Sequence, residues 1–350
     1  MTSTETIAWF ADIGLGDRLQ VGGKGGSLGE LTRAGIDVPP GFVVRTGAFE
    51  RFIAALDESE PLRAPIEALD PKDFDRAEEV ARGVRERVLA ADMPAAVRDE
   101  LRTAYAELCG DDAGAPVAVR SSATTEDAED ASFAGLQDTY LWVMGADQVL
   151  DMVRACWASL YSVESVCYRR KHGYPEKEVA MAVVVQRMVD ARTAGVMFTR
   201  SPTTGDRSVV TIEGAWGLGS AVVSGEVTPD RWVVAKPTNE ITVRDVSDKH
   251  IKQVPKAGGG IEDVELTDEE RTAPSLSDDE LRQLKAIGQR TEKHYGRPQD
   301  IEWAIEAGSG KIFLLQSRPE TVWSAKEGKP VARPQADAME HVMTIFGGRK

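Results

Sequence analysis

A chain of 350 residues, 42% hydrophobic and 28% charged, has the composition of an ordinary globular protein large enough for one or two packed lobes. Its formal net charge of −15 repels polyanions, which disfavours nucleic acid as a partner but leaves room for a nucleotide held by a few basic groups in a cleft. The first ten residues hold no apolar run of signal-peptide length, and no stretch approaches the roughly 18 to 20 apolar residues of a membrane span, so a cytoplasmic protein with no membrane partner is expected.

The first organised unit runs from 21 to 53. Gly22-Gly23-Lys24-Gly25-Gly26-Ser27 opens a short helix with Leu28 and Leu31 at helical spacing. Gly35 stands where a left-handed C-terminal cap belongs, and Pro39-Pro40 prevents continuation. A strand follows at Phe42-Val43-Val44, and Thr46 is expected to cap a helix burying Phe49, Phe52 and Ile53. From 57 to 116 the chain is charged and alanine-rich, with helical stretches such as 77–89 and no chemical motif; a solvated helical hairpin is expected. Residues 116–120 read as a buried strand that runs into a polar turn at 121–127, and a long helix is predicted over 146–161.

The run 182–189 is nearly continuous Val and Met around Gln186, as in a strand buried on both faces. Further strands are predicted at 195–199, 208–212 and 231–235. Ser277 with Glu280 forms a capping box for a helix whose apolar face is Leu281, Leu284 and Ile287, ended by Gly296. Two last strands, 301–305 and 312–316, lie close together around a glycine turn, and after Pro319 the chain becomes charged and Pro-rich like a linker. Strands and helices mix without strict alternation, so the class is α+β. The three cysteines (Cys109, Cys156, Cys167) match no zinc or redox spacing, and the four histidines are scattered.

Chemistry gathers at a few of these places. Lys24 among four glycines at a helix start suits phosphate oxygens, yet the segment is neither a Walker A loop nor a dinucleotide fingerprint, and a flexible turn accounts for it equally well. Arg120 at the end of an apolar strand is rigidly placed to fork onto a phosphate; the plain alternative is a salt bridge to Glu126 or Asp127. Gln186 in a buried strand needs partners, supplied either by backbone or by an adenine edge. Asp300 and Glu302 share one strand face, and Gln316 and Arg318 repeat that spacing on what reads as the adjacent strand. Oxygen ligands of this kind suit Mg²⁺ and phosphates, whereas a salt-bridged sheet edge would explain the charges but not Gln316.

With these segments in hand, the chain resembles the ATP-binding N-terminal part of phosphoenolpyruvate synthase and pyruvate phosphate dikinase, which rifampin phosphotransferase and phenylphosphate synthase share. The matching segments are 21–44, 117–143, 183–199, 217–230 and 300–321, in family order. The resemblance implies an ATP-grasp fold of two lobes enclosing a nucleotide cleft: an N-terminal lobe over 1–200, a C-terminal lobe over 201–325, and a linker or partner-docking tail over 326–350. It implies that Lys24 and Arg120 hold the ATP phosphates, that Gly135 and Thr139 belong to a mobile loop over the nucleotide, and that Gln186 and the backbone at Met188 contact adenine. Glu302 and Gln316 would bind Mg²⁺ with help from Asp300, and Arg318 would take the terminal phosphate. Trp216 is less typical of the pattern and is expected to alter the ribose side of the pocket.

Full-length relatives continue into a swivelling domain whose histidine receives a phosphoryl group, and none of the four histidines here has that setting. The expected function is therefore the ATP-binding subunit of a split dikinase. It would send the β-phosphoryl of ATP to a histidine on a separately encoded subunit, which would also bind the small-molecule acceptor, a phenol-like compound by analogy with phenylphosphate synthase. A phosphoenolpyruvate synthase-like or antibiotic-phosphotransferase-like module is the alternative within the family. A non-catalytic ATP sensor and a ligase that releases ADP are alternatives of other classes.

Overall fold

The computed structural model describes residues 5–70, 72–124 and 138–324, so the expectations for Gly135, for the turn beyond Thr124 and for the tail 326–350 lie outside the described residues. The strands are β1 (Ile7–Trp9), β2 (Gly41–Val44), β3 (Val117–Ala123), β4 (Thr139–Val143), β5 (Met181–Arg187), β6 (Ala191–Phe198), β7 (Val209–Trp216), β8 (Asp230–Ala235), β9 (Ile241–Asp245), β10 (Ile251–Pro255), β11 (Ile261–Glu265), β12 (Gln299–Glu306) and β13 (Ile312–Pro319). They form a five-stranded sheet in the order β1-β2-β5-β3-β4, a six-stranded sheet in the order β13-β12-β6-β7-β8-β9, and the hairpin β10-β11. With its helices this is the expected α+β architecture, two sheet-centred lobes with a cleft between them.

The five-stranded sheet is covered on both faces, which is why β5 carries an unbroken apolar run rather than an alternating one. Val183 and Val185 join Phe42, Val117 and Val119 in the larger core, while Ala182 and Val184 face Val21, Leu28 and Val43 on the opposite side. The larger core is closed by helices, and here the structure corrects the expectation of a solvated helical hairpin over 57–116. The helices Phe74–Ala90 and Ala95–Cys109 bury Ala81, Val84, Val88, Val97, Leu101 and Tyr105, the same positions whose charged neighbours made them read as surface. Small and β-branched residues every third or fourth place suffice for such a stripe.

Two local expectations are also corrected. Thr46 is the first residue of the helix Thr46–Ser59 rather than its cap, and its hydroxyl bonds the carbonyl of Leu19 at 3.1 Å. The polar segment after Arg120 does not turn at once: Ser121, Ser122 and Ala123 continue β3, paired with Val183, Ala182 and Met181. In contrast, the Ser277–Glu280 capping box is formed, and Gly296 ends the helix Asp278–Tyr295 at φ 68°.

The six-stranded sheet buries its larger core on one face. Met197, Ile212, Trp232, Ile301, Trp303 and Leu314 pack under Leu281 and Leu284 of the helix Asp278–Tyr295. Strand alternation sends the intervening residues, Glu302 and Ala304 among them, to the other face, which looks into the cleft. β6 is an interior strand of this sheet.

Candidate active site

The cleft between the two sheets has a volume of about 640 Å³, within the range of small-molecule sites. One wall comes from Lys24, β3, β4 and the end of β5; the other comes from β6, β12, β13 and the segment after β7.

The polar end of the cleft is organised by the pairing of β12 with β13, which places Asp300 opposite Arg318 and Glu302 opposite Gln316. Past that pair the register shifts, so that Trp303 faces Leu314 and Leu315 is the extra residue of a bulge. A bulged residue drops out of the ladder, and its carbonyl is used elsewhere. The Leu315 carbonyl accepts a hydrogen bond of 3.0 Å from Arg120 Nη1. Arg120 Nη2 donates to Glu302 Oε2 at 2.9 Å and to Gln316 Oε1 at 2.6 Å. One guanidinium from the first lobe is thus clasped by three groups of the second, a fork that a point-charged ammonium would not reproduce. Arg120 Nε is buried with no hydrogen-bond partner among the described residues.

Asp300 stands one pair further along the same two strands. Its Oδ2 is 3.4 Å from Arg318 Nε, and burial raises its pKa against the opposing effect of that arginine. Arg318 is well exposed and lines the cleft; Asp300 supports it from beside the lining.

Lys24 is positioned by a break in the helix Arg18–Arg33. Gly22 has φ 70° and ψ 178°, so the chain turns out of one helical turn and re-enters a helix at Gly23. A side chain is disfavoured at that φ, and a Cβ there would also lie 2.2 Å from the Ser122 carbonyl oxygen. Gly23 and Lys24, the first two residues of the restarted helix, line the cleft, as the glycine-rich segment led one to expect. The restarted helix is tied to the opposite lobe through Ser27, whose hydroxyl donates to the Ser317 carbonyl at 2.5 Å.

At the other end of the cleft, Gln186 is buried and its Nε2 donates to the Pro39 carbonyl at 3.3 Å. Backbone thus supplies one of the partners this buried amide needs, and Gln186 also lines the cleft. Met188 lines the cleft, and its N–H already donates to the Pro116 carbonyl at 2.9 Å. Thr139 opens β4 on the cleft wall, with Leu141 two residues on and so on the same side. Trp216 is not among the residues that line the cleft: its Nε1 donates to the Glu270 carbonyl at 3.0 Å and Arg192 lies over its ring.

The structure thus brings Lys24, Arg120, Thr139, Gln186 and Met188 from the first lobe to one cleft with Glu302, Gln316 and Arg318 from the second. Sequence reasoning missed its apolar wall: Ala118, Leu141, Leu218 and Val223. Ala118 and Leu141 were findable, since each lies two residues from an expected site residue on the same strand. Leu218 and Val223 fall in the matching segment 217–230, but their place on the cleft wall depends on the turn at Gly217 (φ 76°) that brings Leu218 N–H to the Gln253 carbonyl. Among the described residues no group of three His, Cys, Asp or Glu side chains forms a metal site of its own.

The profile of the family described as "Pyruvate phosphate dikinase, AMP/ATP-binding domain" matches residues 18–339. The phosphoenolpyruvate synthase of Pyrococcus furiosus is 39% identical over 385 aligned positions, covering 98% of this chain and 46% of the relative. That of Pseudomonas aeruginosa is 41% identical over 335, covering 91% of this chain and 42% of the relative. A protein of Methanocaldococcus jannaschii named "Probable phosphoenolpyruvate synthase" is 40% identical over 348, covering 99% of this chain and 29% of the relative. The chain therefore spans less than half the length of these curated relatives. A solved D-alanyl-alanine synthetase A from Vibrio cholerae overlays with a TM-score of 0.25 at 12% identity, covering 69% of this chain and 54% of that one, too loosely to add to the assignment.

Proposed function

The chain belongs to the family of the pyruvate phosphate dikinase AMP/ATP-binding domain, and on that footing we propose that it binds Mg·ATP in the cleft and starts a dikinase reaction. In that reaction the β-phosphoryl of ATP passes to a histidine outside this chain's described residues, water takes the γ-phosphate, and AMP leaves. The observation that carries the reading is the Arg120 fork, which joins the two lobes on Glu302 and Gln316 inside the cleft.

Each group has a role its chemistry supports. Lys24, with the N-terminus of the restarted helix, and Arg120 hold phosphate oxygens; Arg318, exposed at the cleft's polar end, holds the terminal phosphate. Glu302 and Gln316 would hold Mg²⁺. The donor set fits: one carboxylate and one amide make an incomplete site by themselves, and Mg²⁺ takes one or two carboxylates and completes its shell with water and substrate phosphates. When bound, the ion neutralises charge on the phosphate oxygens. Catalysis by this chain is then positioning and charge stabilisation, with the covalent intermediate on the histidine. Thr139 and Gly135 cover the nucleotide, Gln186 shapes the adenine end, and Asp300 keeps Arg318 oriented. The division at about residue 200 into two ATP-grasp lobes, with a linker or partner-docking tail over 326–350, is part of the same proposal.

The finer reading is a separately encoded histidine subunit that phosphorylates a phenol-like acceptor, supported by the resemblance to phenylphosphate synthase. The names of the relatives favour a second reading, a phosphoenolpyruvate synthase-like reaction. Product analysis with labelled ATP and Mg²⁺ tests both. AMP and phosphate formed only when a histidine-domain protein is added, with acid-labile label on that protein, are the expected results. Supplying phenol or pyruvate then separates the acceptors. Tight ATP binding without turnover under any pairing would leave a nucleotide sensor instead.

A further inference from the structure

Ser122 is a fully buried hydroxyl that the reading above does not use. It lies two residues after Arg120 on β3, hence on the same face of that strand. Arg120 reaches from there to Glu302 and Gln316, and Ser122 reaches to the kink ahead of Lys24. Its Oγ donates to the Val21 carbonyl at 3.0 Å, on one side of the kink, and accepts from the Gly25 N–H at 3.2 Å, on the other.

That second bond has a recognisable form. A helix start leaves its first N–H groups without intrahelical partners, and the capping side chain normally accepts from the third of them. Here the capping position is Gly22, which has no side chain and leaves no room for one, since a Cβ would also meet Ser122 Oγ at 2.2 Å. Ser122 supplies the missing cap from another strand and accepts from the third helical N–H, Gly25. The first two helical residues, Gly23 and Lys24, are the ones that line the cleft.

We propose that Ser122 is a positioning residue for the phosphate-binding turn. It fixes the restarted helix at Gly23–Lys24 against the strand that carries Arg120, so that a two-residue step of β3, roughly 6.6 Å, sets the spacing between the two phosphate-holding groups. This rests on the reading of the cleft as an ATP site. The consequence is selective: without the cap the turn is loosened, and ligands lose affinity only in proportion to the phosphates they carry there.

The test is calorimetric titration of wild type, Ser122→Ala and Ser122→Cys with Mg·ATP and with adenosine, beside thermal unfolding and hydrogen exchange of the segment 18–28. Ser122→Ala is expected to bind Mg·ATP roughly tenfold more weakly, with adenosine affinity unchanged and faster exchange at the Gly25 amide. Ser122→Cys, whose thiol keeps a weak donor and acceptor in a similar volume, restores part of the loss. Equal losses for ATP and adenosine, or no loss for either, would overturn the proposal. Wild type that fails to bind Mg·ATP would instead remove the reading of the cleft itself. If Ser122→Ala does not fold, the ATP-to-adenosine ratio of the cysteine variant decides: an unchanged ratio refutes positioning.

Discussion

Replacing Arg120 by lysine keeps the charge and removes the fork. The guanidinium makes three hydrogen bonds, to the Leu315 carbonyl at 3.0 Å, Glu302 at 2.9 Å and Gln316 at 2.6 Å. A lysine ammonium at the end of a flexible stem reaches one side of this arrangement and forfeits the rest. Hydrogen bonds to charged groups contribute about 1.5–3 kcal/mol each, discounted here because Glu302 is 30% exposed and partly solvated. Loss of one to two such bonds, with phosphate taking the place of the carboxylate in the complex, gives a net effect of about 2–3 kcal/mol. That corresponds to a roughly 30- to 150-fold weaker affinity for Mg·ATP. The assay is calorimetric titration with Mg·ATP, repeated on Glu302→Gln and on the double variant. Because both residues act through one contact, their effects should fall short of additivity by about 1 kcal/mol or more. Lysine binding Mg·ATP within threefold of wild type, or strictly additive losses, would refute the idea that the fork organises the site.

Three further outcomes are expected. Glu302→Gln retains adenosine binding but loses most of the Mg²⁺-dependent gain in ATP affinity, read from titrations with and without the metal; an undiminished Mg²⁺ effect would move the metal elsewhere. Glu176→Gln leaves Arg169 charged and buried, since the pair is 1% exposed on both sides and bonded at 3.0 and 3.1 Å, so denaturant unfolding should show a loss of about 3–5 kcal/mol. The same variant should keep wild-type ATP affinity below its melting temperature, because the pair sits in the helical layer away from the cleft. Tyr105 has its phenol pKa pushed by burial from 10.0 up to about 12, with the hydrogen bond from the Gly145 N–H opposing. The folded state therefore holds the proton longer than the unfolded chain does. Its contribution to stability is complete below pH 10.0 and lost as pH rises through about 12, so the stability gap between wild type and Tyr105→Phe should narrow across that window. A phenolate absorbance step near 10 in the folded wild-type-minus-Tyr105→Phe difference spectrum, in which the other tyrosines cancel, would contradict this.

What the sequence determined by itself were the features carried by neighbouring residues. Two-residue spacing on strands announced that Glu302 could stand with Asp300 and Gln316 with Arg318, and the β12–β13 register makes them two facing pairs. The glycines around Lys24 announced a turn of unusual conformation, found at Gly22, and the continuous apolar run at β5 announced a strand buried on both faces. The helices of 57–116 were legible as helices but not as core, because much of their apolar stripe is alanine and valine whose burial depends on the sheet beneath. Only the tertiary structure decided that Arg120 turns to Glu302 and Gln316, 182 and 196 residues away. It likewise decided that Gln186 Nε2 donates to the Pro39 carbonyl, and that a glycine's missing cap comes from Ser122 on another strand. Local pattern fixes what a side chain can offer and which way a strand or helix presents it. The partner is chosen by the packing of distant elements, whose contacts leave no periodicity in the chain.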